Sequence, residues 1–197
     1  MNLSKGTNQL MIAFALLALA VGSLSLAHLA FSGDVLTEEE TTSSSATITK
    51  QVAISKSANL TTGILFGSLD PNSNANNATG NFNSSSQTQF WLTIDSTTNT
   101  PLDICTKDSA ALTNGGQTIP NAGYKWNSTT TNDAVNPYIF GTMFAMTTNY
   151  NTANKIADSQ TSGTYYLRFT LDVPAGQAAG AYSNTVYFKA ADDSTGC

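Results

Sequence analysis

Histidine is almost absent from this 197-residue chain. The one imidazole, His28, lies in a hydrophobic segment near the N-terminus, so every residue from Leu29 onward lacks one. That excludes a Ser-His-Asp or Cys-His catalytic set, and any His-containing zinc site, from the body of the protein. Charge is scarce as well: only 11% of residues are Asp, Glu, Lys or Arg, against about 25% in an ordinary domain. The net charge is −5 and no basic run occurs, so the electrostatic footprint of a nucleic-acid binder is missing. The two cysteines show no Cys-x-x-Cys spacing, which leaves redox catalysis without support. Neutral polarity takes the place of charge: Thr 29, Ser 21 and Asn 19 together make 69 of 197 residues. The length suits one compact domain.

The first thirty residues read as an address. Residues 1–9 are polar with one positive charge at Lys5, and Leu10 to Val21 carries no polar side chain. Ser25-Leu26-Ala27 then supplies small residues at the −3 and −1 positions of a cleavage site, with Ala30 as a second choice. Basic start, short apolar stretch and small-residue exit match a secretory signal peptide. Two other readings stay open. Lys5-Gly6 ahead of an apolar segment resembles the cut site of prepilin-type signals, in which the hydrophobic helix remains on the mature protein. Leu10 to Phe31, 22 mostly apolar residues, is also long enough for a plain membrane anchor. All three deliver the rest of the chain outside the cytoplasm, at an extracellular or cell-surface location. Any membrane contact is through this segment alone.

Cys105 and Cys197 are the one pair in the exported part, so a disulfide between them is expected. Closing so long a loop stabilises by about 4 kcal/mol. Four exported sequons, at Asn59, Asn77, Asn83 and Asn127, are candidate glycan acceptors.

Residues 31–46 form a polar acidic linker or arm, in which Glu38, Glu39 and Glu40 read as a solvated charge cluster. From 47 to 197, period-two alternation dominates. Ile48, Val52 and Ile54 share one face; Gly63 to Leu69 is a short apolar strand ending at the turn Asp70-Pro71-Asn72. Phe90, Leu92 and Ile94 point one way, and Tyr138 to Met146 is apolar with a bend at Gly141. The clearest strand is Tyr165 to Val173, with Tyr165, Leu167, Phe169, Leu171 and Val173 inward and Tyr166, Arg168, Thr170 and Asp172 outward. Tyr182 to Ala190 repeats the pattern with Tyr182, Val186 and Phe188 inside. Turn-formers separate these runs at 72–83, Asn114-Gly115-Gly116, Asn121-Ala122-Gly123 and 174–180. The expected fold is all-β: a β-sandwich behind an N-terminal hydrophobic helix.

Two stretches carry a resemblance. Val52-Ala53-Ile54-Ser55, followed by Gly63-Ile64-Leu65-Phe66-Gly67-Ser68-Leu69-Asp70-Pro71, looks like the opening of spore-coat-U-type pilin domains. Val173-Pro174-Ala175-Gly176-Gln177, then Ala179-Gly180-Ala181-Tyr182-Ser183-Asn184-Thr185-Val186, looks like their closing hairpin. The ending also resembles secreted archaeal surface proteins. Together the matches cover about 35 residues at opposite ends of the domain. The resemblance implies an immunoglobulin-like sandwich, completed by a strand from a neighbouring copy, so that subunits chain into a fibre. A donated strand alternates apolar and polar residues, whereas Asp34–Ala46 offers only Val35 and Leu36. Either the donor begins near Ile48 or assembly uses another device, such as the retained helix.

Other chemistry finds little support. Asp70, Asn72 and Asn74 offer alternate oxygen ligands, but Ala75 stands where an EF-hand needs glycine and Asn81 where it needs glutamate. Asp192-Asp193 reads as a solvated pair. No two carboxylates are set apart for acid–base work, and no cofactor or metal is expected. Trp91 and Trp126, with Tyr166 and Tyr187, form either a sugar-binding platform or core and rim packing. The expected function is therefore a structural, non-enzymatic subunit of an extracellular filament or surface coat, partnered by copies of itself. The alternative is a monomeric or membrane-anchored adhesin that binds glycans.

Overall fold

The computed structural model of the protein describes residues 42–85, 87–132 and 141–197. The hydrophobic segment of 1–30, and the arm as far as Thr41, lie outside the described residues, so the expected N-terminal helix falls there too. From Ile48 to Cys197 the chain forms one compact unit. Its strands, in chain order, are β1 (Ile54–Lys56), β2 (Ser73–Asn77), β3 (Phe90–Ile94), β4 (Leu102–Asp108), β5 (Leu112–Asn114), β6 (Gln117–Ile119), β7 (Tyr124–Thr129), β8 (Phe144–Ala145), β9 (Ala157–Gln160), β10 (Gly163–Val173) and β11 (Val186–Asp192). One five-residue helix, α1 (Ala58–Thr62), starts where the Ser57 hydroxyl accepts from the Leu60 N–H. The fold is all-β and every strand pair is antiparallel.

The larger sheet is built on β10. Its alternation is as the sequence pattern requires: Tyr165, Leu167, Phe169, Leu171 and Val173 are all buried. One edge of β10 pairs with β7. The other edge is shared, pairing with β3 from Gly163 to Leu167 and with β2 from Thr170 to Val173. β1 extends the sheet beyond β3, and β8 beyond β7. The second sheet runs β11-β4-β9, and β5 and β6 form a hairpin over the two-residue turn Gly115-Gly116. Inner-face residues of both sheets, such as Leu92 and Phe169 from one and Leu102 and Ile104 from the other, belong to one apolar cluster.

The shared edge leaves a gap opposite Phe169, and Asn81 fills it. This side chain has no exposed surface. Its Oδ1 accepts from the Phe169 N–H at 2.9 Å, and its Nδ2 donates to the Phe169 carbonyl at 2.6 Å. An amide side chain thus supplies the acceptor a strand backbone would have offered, and shares the Phe169 carbonyl with the Ala78 N–H at 3.1 Å. Thr88 works beside it, donating through Oγ1 to the Leu167 carbonyl at 2.6 Å. Gly80 is fixed by crowding: a Cβ there would lie 2.5 Å from the Phe90 ring.

Several expected elements move. Ile48 is 84% exposed and the first strand begins only at Ile54, because Thr49 to Ala53 is held by Thr98 and Asn99 outside any ladder. Residues 63–69 are not a strand. Phe66 and Leu69 pack on the core, but Leu65 is 56% exposed. The stretch 72–83, expected as a turn, contains β2. Of 138–146 only Phe144–Ala145 is strand, and 138–140 fall outside the described residues. Arg168 lies on the outward face as expected, yet it is only 4% exposed, with the Phe82 ring 4.1 Å from its guanidinium carbon. Tyr182 precedes β11 but still packs on the core.

Two stability predictions follow from these contacts. Asn81→Ala leaves the Phe169 N–H unpaired in the interior, while the carbonyl keeps the Ala78 N–H at 3.1 Å, and lowers unfolding free energy by about 1–3 kcal/mol. Asn81→Asp restores that acceptor only by burying a carboxyl against the Phe169 carbonyl and recovers less than half of that. Cys197→Ser opens the loop closed by Cys105 and costs about 2–4 kcal/mol. Urea denaturation of the folded protein checks both.

Candidate functional site

An open cleft of about 810 Å³ lies between the chain from Gly63 to Pro71 and the chain from Gln177 to Asn184. Leu112 and Ile119 of the β5–β6 hairpin, Tyr124 of β7, and Leu171 and Val173 of β10 form its floor. All five are buried beneath it. The walls are polar in an unusual way. Among the described residues, no backbone N–H from Ile64 to Leu69, and none from Gln177 to Tyr182, donates a hydrogen bond. Both walls therefore carry backbone donors that no group among the described residues takes up, above an apolar floor. The Tyr182 hydroxyl accepts from Gln177 Nε2 at 2.9 Å and donates to the Ala178 carbonyl at 2.8 Å, which stiffens one wall. Gly180 is held by a positive φ of 151° and by close approach to Asn114.

Cys105 and Cys197 are joined by a disulfide, with Cα atoms 6.2 Å apart. Of the sequons, Asn77 is exposed on β2, while Asn59 and Asn83 are half-buried at the surface. Asn59 donates to Gln89 Oε1, and Asn83 Oδ1 accepts from the Ser85 and Gln87 N–H groups. Asn127 departs from the expectation. It is 8% exposed and its Nδ2 donates to the Thr142 carbonyl at 2.7 Å, so a glycan there would have to leave a buried amide. Asp70, Asn72 and Asn74 are exposed, and the Asp70 carbonyl accepts from Ser73 Oγ.

The expected aromatic platform does not assemble. Trp126 is 1% exposed, in the core beside Phe144. Trp91 faces Tyr166 across β3 and β10, whereas Tyr187 stands on the other sheet.

Three carboxylates do converge: Asp103, Asp158 and Asp193 place one oxygen each within 4.8 Å of the others. Lys155 already sits among them, its Nζ 2.8 Å from Asp103 Oδ2 and 2.6 Å from Asp158 Oδ1. The chain's own ammonium thus holds the place of a cation. Burial opposes ionisation of Asp103, yet Lys155 and the Ser159 N–H outweigh it and hold the carboxyl below its usual 3.8. Asp172 behaves alike. Burial is overcome by Lys125, at 2.5 Å, and by the Ala75 N–H. Asp108 is the opposite case. Fully buried, with Asn121 Nδ2 2.9 Å from Oδ1, it is pushed above 3.8 by desolvation. None of these groups lines the cleft.

No family model, curated protein or solved structure matches this chain.

The cleft was missed because a run such as Gly63 to Leu69 looks the same whether it pairs or not. One signal was present. Ile64, Leu65 and Phe66 are apolar on both faces, which a strand with one solvated face would not need.

The carboxylates set the acid response. A carboxyl held below its unfolded pKa adds stability that is complete at neutral pH and lost as pH falls through 3.8 and below. Asp172→Asn should therefore lower stability at pH 7 by about 1 kcal/mol and flatten its decline between about pH 5 and 2. For Asp108 the sign reverses, since the burial penalty applies above its raised pKa and is relieved by protonation. Asp108→Asn should show no loss at pH 7. Thermal midpoints across pH check both directions.

Proposed function

We propose that this protein is a structural, non-enzymatic subunit of an extracellular filament or cell-surface coat, folded as an immunoglobulin-like sandwich and assembled from copies of itself. The cleft carries the reading. An apolar floor between two walls of unpaired backbone donors suits one extended segment: alternate side chains fill the floor while its carbonyls meet the walls. A small molecule would not satisfy two rows of backbone groups some six residues long on either side.

The donated segment begins near Ile48 of a neighbouring copy, since Asp34–Ala46 offers only Val35 and Leu36. Its donation exchanges the bonds that tie Thr49 to Ala53 to Asn99 and Thr98, and Ile48 is its first apolar residue. That side chain is 84% exposed in the single copy, which leaves it available to a partner. Strand exchange of this kind is head-to-tail and does not close, so it propagates as a fibre. The disulfide and the sequons accord with an exported location. A surface adhesin is the second reading, supported by Trp91 facing Tyr166 on the outer face of the larger sheet.

The test separates folding from assembly. Ile48→Asp changes a residue with almost no contacts of its own, so the thermal midpoint of the single subunit should not move. Negative-stain microscopy should show regular fibres for the unaltered protein and none for the variant. Fibres that persist in Ile48→Asp, or unaltered protein that stays monomeric at every concentration, would sink the strand-donation reading.

A further inference from the structure

The outer face of the second sheet carries a pattern that the cleft does not use. Three of the chain's lysines are matched to aspartates: Lys50 with Asp192, Lys125 with Asp172, and Lys155 with Asp103 and Asp158. Lys107 and Lys189 are not paired in this way; among the described residues neither meets a carboxylate side chain. Instead both ammonium groups converge on one ring, lying 4.9 and 5.5 Å from the centroid of Tyr150. Lys107 is also 5.3 Å from the ring of Tyr187. Lys107 and Tyr187 are directly opposed in the β4–β11 ladder, and Lys189 follows two residues later on the same face. In a protein of net charge −5, two ammonium groups gathered on one ring, with no carboxylate side chain among the described residues beside either, mark a place where an anion is welcome.

We infer that this patch binds acidic polysaccharide, that is, sugar rings bearing carboxylate or sulfate groups. The inference does not rest on the cleft or on filament assembly. Each ammonium has three donors, of which Lys189 gives one to Cys197 O at 3.2 Å. The remaining donors suit a carboxylate or sulfate. Tyr187 is 43% exposed and offers a flat face for the C–H side of a pyranose. The loop that carries Tyr150 is held in shape by its own bonds. Thr147 Oγ1 donates to the Asn149 carbonyl at 2.7 Å, and Asn151 Oδ1 accepts from the Ala153 and Asn154 N–H groups. The exposed Asn149 amide beside Tyr150 is of the neutral type that pairs with sugar hydroxyls. An acidic peptide would satisfy the lysines but leave the exposed ring without a partner, so the sugar is the better fit.

The full-length protein is passed over immobilised polygalacturonate, dextran sulfate and neutral dextran. Retention on either acidic polymer, released by salt, with none on neutral dextran, is the expected result; the two acidic polymers distinguish a carboxylate from a sulfate as the anchoring group. The double variant Lys107→Gln/Lys189→Gln should bind at least about tenfold more weakly. Lys56→Gln, which removes the same charge from an exposed position on the other sheet, should bind as the unaltered protein does. Tyr187→Phe should keep binding and Tyr187→Ala lose it several-fold, with circular dichroism showing the fold intact in each. No retention on either acidic polymer overturns the inference, as does an equal loss in Lys56→Gln, which would mean diffuse charge alone. Equal binding of poly-glutamate together with indifference to Tyr187→Ala would also overturn it, identifying an acidic peptide as the better ligand.

Discussion

The structure depends on one strand having two neighbours along a single edge. β10 is the longest strand and the centre of the larger sheet, yet neither β3 nor β2 spans it. Between them the Phe169 N–H would be stranded in the core, where an unpaired amide is costly; its carbonyl already accepts from the Ala78 N–H. Asn81 removes that cost with a side chain that donates and accepts in the geometry of a peptide group. Asn77 accepts from the same amide nitrogen at 3.0 Å, so the start of the connection after β2 is drawn into the sheet as well. What looks in sequence like a polar loop is thus the seam that joins the two halves of the sheet edge.

The same economy of charge governs the surface. A chain with eight cationic residues and thirteen acidic ones can fix only a few ion pairs, and those present pin particular crossings. Lys125 and Asp172 join β7 to β10, and Lys155 draws β9 towards β4 through Asp103. Elsewhere, hydroxyls and amides of Ser, Thr and Asn satisfy turns and loops, as Asn83 and Asn151 do for their own backbones. With so much polarity paired locally, the places left unpaired stand out. They are the walls of the cleft, and the two lysines that gather around Tyr150.

Strands with one clean face were legible in the sequence. β10 and β3 alternate strictly, and their inward residues are the buried ones. β4 was not legible. Its outer face is covered at Asp103 by Lys155 and at Cys105 by the disulfide, and its inner face carries Thr106 and Asp108 in line with Leu102 and Ile104, so all of these are buried and no polar–apolar alternation remains. β7 hides in the same way, burying Asn127 next to Trp126. β2 reads as a turn since, Ala75 apart, its Asn-rich sequence has no apolar side chain to signal a strand; its pairing comes from the edge that β10 offers. The cleft was invisible for a related reason. Whether Gly63 to Leu69 finds a ladder depends on the distance to other strands, which no local pattern encodes.

By itself the sequence determined the chemistry available: no imidazole for catalysis from Leu29 onward, two cysteines to join, an all-β alternation, and a neutral polar surface with little charge. These follow from residue identity and from the two-residue period of an extended chain. The tertiary structure alone decided which polar groups are buried and paired, that Trp126 belongs to the core, that the Asn127 amide is taken up by Thr142, and that Lys107 and Lys189 share a ring. Burial and pairing arise from segments far apart in the chain, such as Asn81 against Phe169 and Lys107 against Tyr187, so they exist only once the strands have met.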